Sequence, residues 1–282
     1  MSFALSRACP CLAVALAVFV AAAPAAAQWV GYATAGVPRR PDGKVDMTAP
    51  VPRLADGKPD FSGIWISDRT EKGQETISDT SSLPSGRHMA NMGVDMEGGL
   101  PYQPWQLPIV KERTENLAID DPHIRCLPDF FLRAYGLPHM LKFVHTPGLL
   151  VMLNEMNAGY RQIFTDARPL PDEPTPSWQG YSSAKWEGDT LVVDTIGMRD
   201  DTWIDWNGSV VTEEAKIRER IRRIDFGHIE IVATVDDPKA FTKPWTVTLR
   251  QRIVVDAELI DEVCLENEQF VKRMRLDGSA EE

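Results

Sequence analysis

The sequence predicts an all-β fold: an antiparallel barrel, closed or nearly closed, of about ten strands, with one or two short helices and a long N-terminal arm. Three observations predict it. Around the polar turn Glu187-Gly188-Asp189, the β-branched run Leu191-Val192-Val193 and the segment 182–186 read as two strands of a hairpin. In 216–224 the residues alternate, with Ile217, Glu219 and Ile221 on one face and Lys216, Arg218, Arg220 and Arg222 on the other. Comparable segments recur at short spacing toward the C-terminus, and an open sheet of that many strands would leave unpaired edges.

In chain order, residues 1–27 read as a secretory signal peptide: Arg7 supplies the positive region, 12–20 the apolar region, and Ala25-Ala26-Ala27 the small-residue cleavage site. The apolar run is shorter than the roughly 20 residues a spanning helix needs. Cys9 and Cys11 precede that run, which argues against a lipoprotein attachment site. Residues 28–59, rich in Pro, Gly and charge, form an arm with a short echo, Pro41-Asp42-Gly43-Lys44-Val45-Asp46 and then Ala55-Asp56-Gly57-Lys58-Pro59-Asp60. The barrel domain follows over 60–270, with 271–282 as a tail. Its first strand is 61–66. Residues 70–102, aperiodic and rich in Ser, Gly and Met, read as a long loop or lid. Helices are expected over 107–118 and 127–135. Strands follow over 140–145, 149–156, 161–167, 182–186, 191–195, 216–224, 228–236, 245–255 and 259–267.

Charge and composition limit the partners. The chain carries a formal charge of −11, which becomes −12 once Arg7 leaves with the signal, so nucleic acid and anionic membrane surfaces are poor partners. The cations of 216–223 fit a solvated outer strand face. Only Cys126 and Cys264 remain after the signal. A periplasmic or secreted location makes them a disulfide in the first reading; two buried thiols or a nucleophilic Cys are the alternatives. The five histidines are scattered, and neither a metal-ligand spacing nor a nucleotide-binding or nucleophile-elbow motif is present, so no cofactor and no metal are expected. His123, near Asp121 and Cys126, reads as a loop histidine.

Two resemblances bear on the fold. Asp60-Phe61-Ser62-Gly63-Ile64-Trp65 resembles the Gly-x-Trp opening strand of lipocalin-like, or calycin, barrels. The runs Phe164-Thr165-Asp166-Ala167-Arg168-Pro169, 186–194 and 236–245 together resemble a large group of exported bacterial proteins of unassigned function. That likeness spans about 60–267 and brings no site residues with it.

Carboxylates inside apolar strands are the chemical lead. Glu155 shares a face with Val151 and Leu153, and Glu219 lies between Ile217 and Ile221, so each needs a partner, such as Arg161 or Arg168, or a raised pKa. Among the aromatics, Tyr160, Trp178, Tyr181, Trp203 and Trp245 are candidates for a cavity rim or for the core. One function fitting these features is a cofactor-free acid/base enzyme (a lyase, isomerase, dehydratase or cyclase) acting on a lipophilic or aromatic small molecule. Glu155 or Glu219 would be its acid or base, with Arg161 or Tyr181 stabilising negative charge. The alternative is a non-catalytic carrier of a hydrophobic ligand, lined by Tyr160, Trp178, Trp203 and Trp245. A filled exported structural domain is the blandest reading.

Overall fold

The computed structural model describes residues 33–68, 88, 91–116, 118–260, 262 and 264. The expected signal peptide, the tail and most of the expected loop at 70–102 lie outside them. The strands are β1 (Gly63–Ser67), β2 (Leu141–Thr146), β3 (Leu149–Asn154), β4 (Tyr160–Phe164), β5 (Tyr181–Glu187), β6 (Thr190–Ile196), β7 (Thr202–Trp203), β8 (Val210–Val211), β9 (Lys216–Arg223), β10 (His228–Asp236) and β11 (Trp245–Val254). Nine of them close a barrel in the order β1-β11-β10-β9-β6-β5-β4-β3-β2, with β2 returning to β1, while β7 and β8 pair as a separate ribbon.

The expectation of a purely antiparallel sheet is corrected at one place. In a ring whose neighbours all run oppositely, direction must alternate, so the strand count must be even. Nine strands therefore require a parallel pair. It is β4 with β5, joined by only two residue pairs, Ile163 with Ser182 and Phe164 with Ser183. Parallel neighbours need a crossover connection. Here it is 165–180, stiffened by Pro169, Pro171, Pro174 and Pro176. The strand expected over 259–267 is not present at its described residues.

Alternation places Ile217, Glu219, Ile221 and Arg223 of β9 inside, and Lys216, Arg218, Arg220 and Arg222 outside, as the sequence predicts. Ile229, Ile231, Ala233 and Val235 of β10 and Trp245, Val247, Leu249, Gln251 and Ile253 of β11 face the same core. The two helices found among the described residues are α1 (Gln106–Glu115) and α2 (Phe131–Ala134). A helix of four residues does not form alone. α2 persists because Phe130, Phe131, Leu132 and Tyr135 are all buried in the main core and because Gln251 Nε2 donates to the Tyr135 carbonyl at 2.7 Å. The barrel is thus plugged at this level. Trp65 closes another part of the interior: its Nε1 donates to the Phe61 carbonyl, and the Arg223 guanidinium lies over its ring while donating to the carbonyls of Asp60 and Phe226.

The arm is more ordered than an extended tether. Its echo is a repeat of fourteen residues, in which Val37-Pro38-Arg39 returns as Val51-Pro52-Arg53. Each copy makes the same tight turn. Arg40 N donates to Lys44 O at 2.8 Å and Leu54 N to Lys58 O at 2.9 Å, around Gly43 and Gly57, both at φ +81°. The arginine of each copy reaches its own turn glycine carbonyl and then a carboxylate elsewhere: Arg39 pairs with Asp256 and Arg53 with Asp189, both at 2.7 Å. Cys126 and Cys264 are joined by a disulfide that closes 138 residues of chain.

Candidate functional site

The wall of the barrel opens where its parallel pair is weakest. β4 and β5 share hydrogen bonds only around Ile163–Phe164 and Ser182–Ser183, so Tyr160 to Gln162 and the chain entering β5 stand apart. Between them lies a cleft of about 500 Å³, within the range of small-molecule sites. Its walls are Tyr160, Phe164, Trp178 and Tyr181; Arg161 and Ser182 form its floor. Phe164 and Tyr181 lie 5.4 Å apart at 33°. Arginines back two of the rings, with Arg168 at 3.9 Å from the Phe164 centroid and Arg199 at 4.5 Å from that of Trp178. Gly180, at φ +65°, turns the chain into β5; a Cβ there would lie 2.7 Å from the Ile196 carbonyl oxygen.

Behind the floor sits a buried ionic network. Arg161 and Glu219, each with a fully buried side chain, form a two-pronged pair: Nη1 donates to Oε1 at 3.2 Å, and Nη2 donates to Oε2. Tyr135 donates its hydroxyl to Glu219 Oε1 at 3.0 Å. Arg161 also donates to Thr195 at 2.9 Å and Ser182 at 3.2 Å, and its guanidinium lies 3.4 Å from the Phe131 ring centroid. Burial pulls the Arg161 pKa down, but Glu219's charge and hydrogen bonds outweigh it and hold the value above the ordinary range. Burial, then the nearby Glu219 charge, raises the Tyr135 hydroxyl well above its ordinary value.

A second network lies beyond Pro128 and Trp178. His123 Nδ1 is 2.7 Å from Asp129 Oδ2, and Asp129 is buried. Arg133 holds Asp121 through two hydrogen bonds and lies 3.5 Å from Asp129 Oδ1. Burial disfavours the charged His123, yet its bond to Asp129 wins and its pKa is raised. For Asp129, burial acts upward and is outweighed by Arg133 and then His123, so its pKa is lowered. With Nδ1 committed to Asp129, Nε2 is left without a protein hydrogen bond among the described residues. His123 lines a gap of about 10 Å³, walled also by Trp178, Thr202 and Trp203, which holds about one water-sized sphere and no substrate.

Of the residues singled out from sequence, the fold brings Tyr160, Arg161, Trp178 and Tyr181 together in the cleft, with Glu219 directly behind Arg161. Glu155 is elsewhere. β3 ends at Asn154, its inward residues are Leu150, Met152 and Asn154, and Glu155 accepts the Met140 amide at 3.0 Å on the partly buried outer side. Trp203 packs in a small separate cluster with Ala118 and Val210, and Trp245 packs edge-on against Phe241 in the main core. The pairing of His123 with Asp129 and the contact of Tyr135 with Glu219 were not legible from sequence. The spacing Asp121-x-His123 with Asp129 six residues on was the available signal.

Among the described residues, no cluster of three or more His, Cys, Asp or Glu side chains is arranged to hold a metal ion, and no helix is long and apolar enough to cross a membrane. No family model matches the chain, and no curated protein matches it.

Proposed function

We propose that this protein is an exported, lipocalin-like barrel that binds a lipophilic or aromatic small molecule in the cleft at the β4–β5 seam. The observation that carries the reading is the convergence of Tyr160, Phe164, Trp178 and Tyr181 on one opening of about 500 Å³, the only place where neighbouring barrel strands run parallel among the described residues. Flat rings bury large apolar area at little conformational cost and select planar partners by stacking. The disulfide and the acidic balance of the chain support export and a small-molecule partner over nucleic acid. Binding itself requires no cofactor.

Native mass spectrometry of protein purified from its exported form tests the reading directly. A co-purifying aromatic or lipophilic molecule that is lost in Trp178→Ala, with the melting temperature unchanged, is the expected result. Equal retention by the variant would remove the cleft from consideration.

A further inference from the structure

We infer that the cleft selects uncharged or anionic aromatic ligands bearing N–H or O–H donors, and that Asn157 and Gln179 are the residues that read those donors. The inference rests on the cleft being a binding site and adds the chemistry of its ligand. Both residues line the cleft. Both side-chain amides are clamped from the same loop: Asn157 Nδ2 donates to the Leu127 carbonyl at 2.9 Å, and Gln179 Nε2 to the Asp129 carbonyl at 2.7 Å. Pro128, between those two carbonyls, is itself part of the cleft wall.

The clamps fix which way each amide points. Rotating either one would set its oxygen against a backbone carbonyl oxygen, so the NH₂ stays on the loop and the C=O is directed away from it. Asn157 Oδ1 and Gln179 Oε1 are both buried and have no hydrogen-bond partner. Buried polar atoms are seldom left unpaired in a folded protein, and two on one cleft wall, on residues that the same loop positions, are a matched set of unused acceptors. A ligand donor is the group that completes them.

Charge narrows the class further. No carboxylate lines the cleft among the described residues, and the nearby guanidiniums of Arg161, Arg168 and Arg199 disfavour a cationic amine. Arg161 is bound to Glu219 and Arg168 to Asp166, whereas Arg199, on the face of Trp178, has no carboxylate partner among the described residues. Phenols, aromatic amides and ring N–H heterocycles fit: flat for the four rings, without positive charge for the arginines, and donating for the two amides.

Calorimetric titration of the full mature protein with catechol and with veratrole, its dimethyl ether, tests this with one ring and two donor states. Catechol should bind about tenfold tighter or better. Gln179→Met, which keeps the length and removes the acceptor, should bring catechol down to the level of veratrole while leaving veratrole unchanged; Asn157→Gly, which tolerates the left-handed backbone at φ +54°, should do the same. Circular dichroism melts confirm that both variants fold. If veratrole binds as tightly as catechol, or if Gln179→Met weakens both alike, the donor inference fails while the cleft reading stands. If neither compound binds, the cleft reading fails and takes the inference with it.

Discussion

At the scale of single residues, the buried Arg161–Glu219 pair makes the firmest prediction. Removing one partner leaves a charge in the core, so Arg161→Met or Glu219→Leu should each cost about 3–5 kcal/mol in denaturant unfolding, and the double variant less than either alone. His123 gives a pH signature. Its pKa in the folded state lies above the ordinary 6.5: burial acts downward and Arg133 with it, but the bond to Asp129, helped by Asp121, outweighs both. Its stabilising contribution is therefore complete below pH 6.5 and is lost as pH rises through the folded value. The melting-temperature gap between wild type and His123→Gln should be widest on the acid side and should narrow as the pH is raised; a constant gap would mean that the pairing with Asp129 contributes no charge term. Glu219 was legible because Ile217 and Ile221 flank it with clean alternation, but sequence left its partner open between Arg161 and Arg168, of which the fold uses Arg161. Glu155 was not, because Leu149-Leu150-Val151-Met152-Leu153 is apolar on both faces and gives no parity to read. The pairing of His123 with Asp129 belongs to a loop, where no period reports which side chains meet.

At the scale of elements, the entry to β5 depends on Gly180. A side chain there would meet Ile196 O at 2.7 Å and Met198 Sδ and Thr195 Cγ2 at 2.9 Å in a left-handed backbone, so Gly180→Ala should cost about 1–2 kcal/mol or more and disturb the Trp178–Tyr181 rim. Chemical denaturation together with ligand affinity checks both effects. β9 shows what sequence reads well: a half-buried strand announces its faces one residue at a time. The partner of β4 was harder to read. Strand pattern gives no direction, and only the proline-rich length of 165–180 hinted that β5 returns parallel instead of by a hairpin. α2 was overextended to 127–135 because its apolar run is buried on every side, so nothing marks where helical geometry stops.

At the scale of the whole molecule, the bond between Cys126 and Cys264 ties the loop that presents Pro128 to a point 138 residues further on. Closing a loop of that length stabilises by about 5 kcal/mol in the chain-entropy model, so Cys126→Ala with Cys264→Ala should lower the melting temperature by about 10–20 °C under oxidising conditions and change nothing under reducing ones. The barrel itself was legible from strand count and spacing; its odd strand number was not, since one expected strand too many concealed the parity. The repeated arm carries a mechanical consequence. Its two buckles, Arg39 on Asp256 and Arg53 on Asp189, lie in series along the same stretch of chain. A pull on the N-terminus loads the first before the second, with the Met47 and Ala49 carbonyls held by Gly227 and Phe226 between them, so the arm lets go in stages and hands its load to three separate points of the barrel in turn.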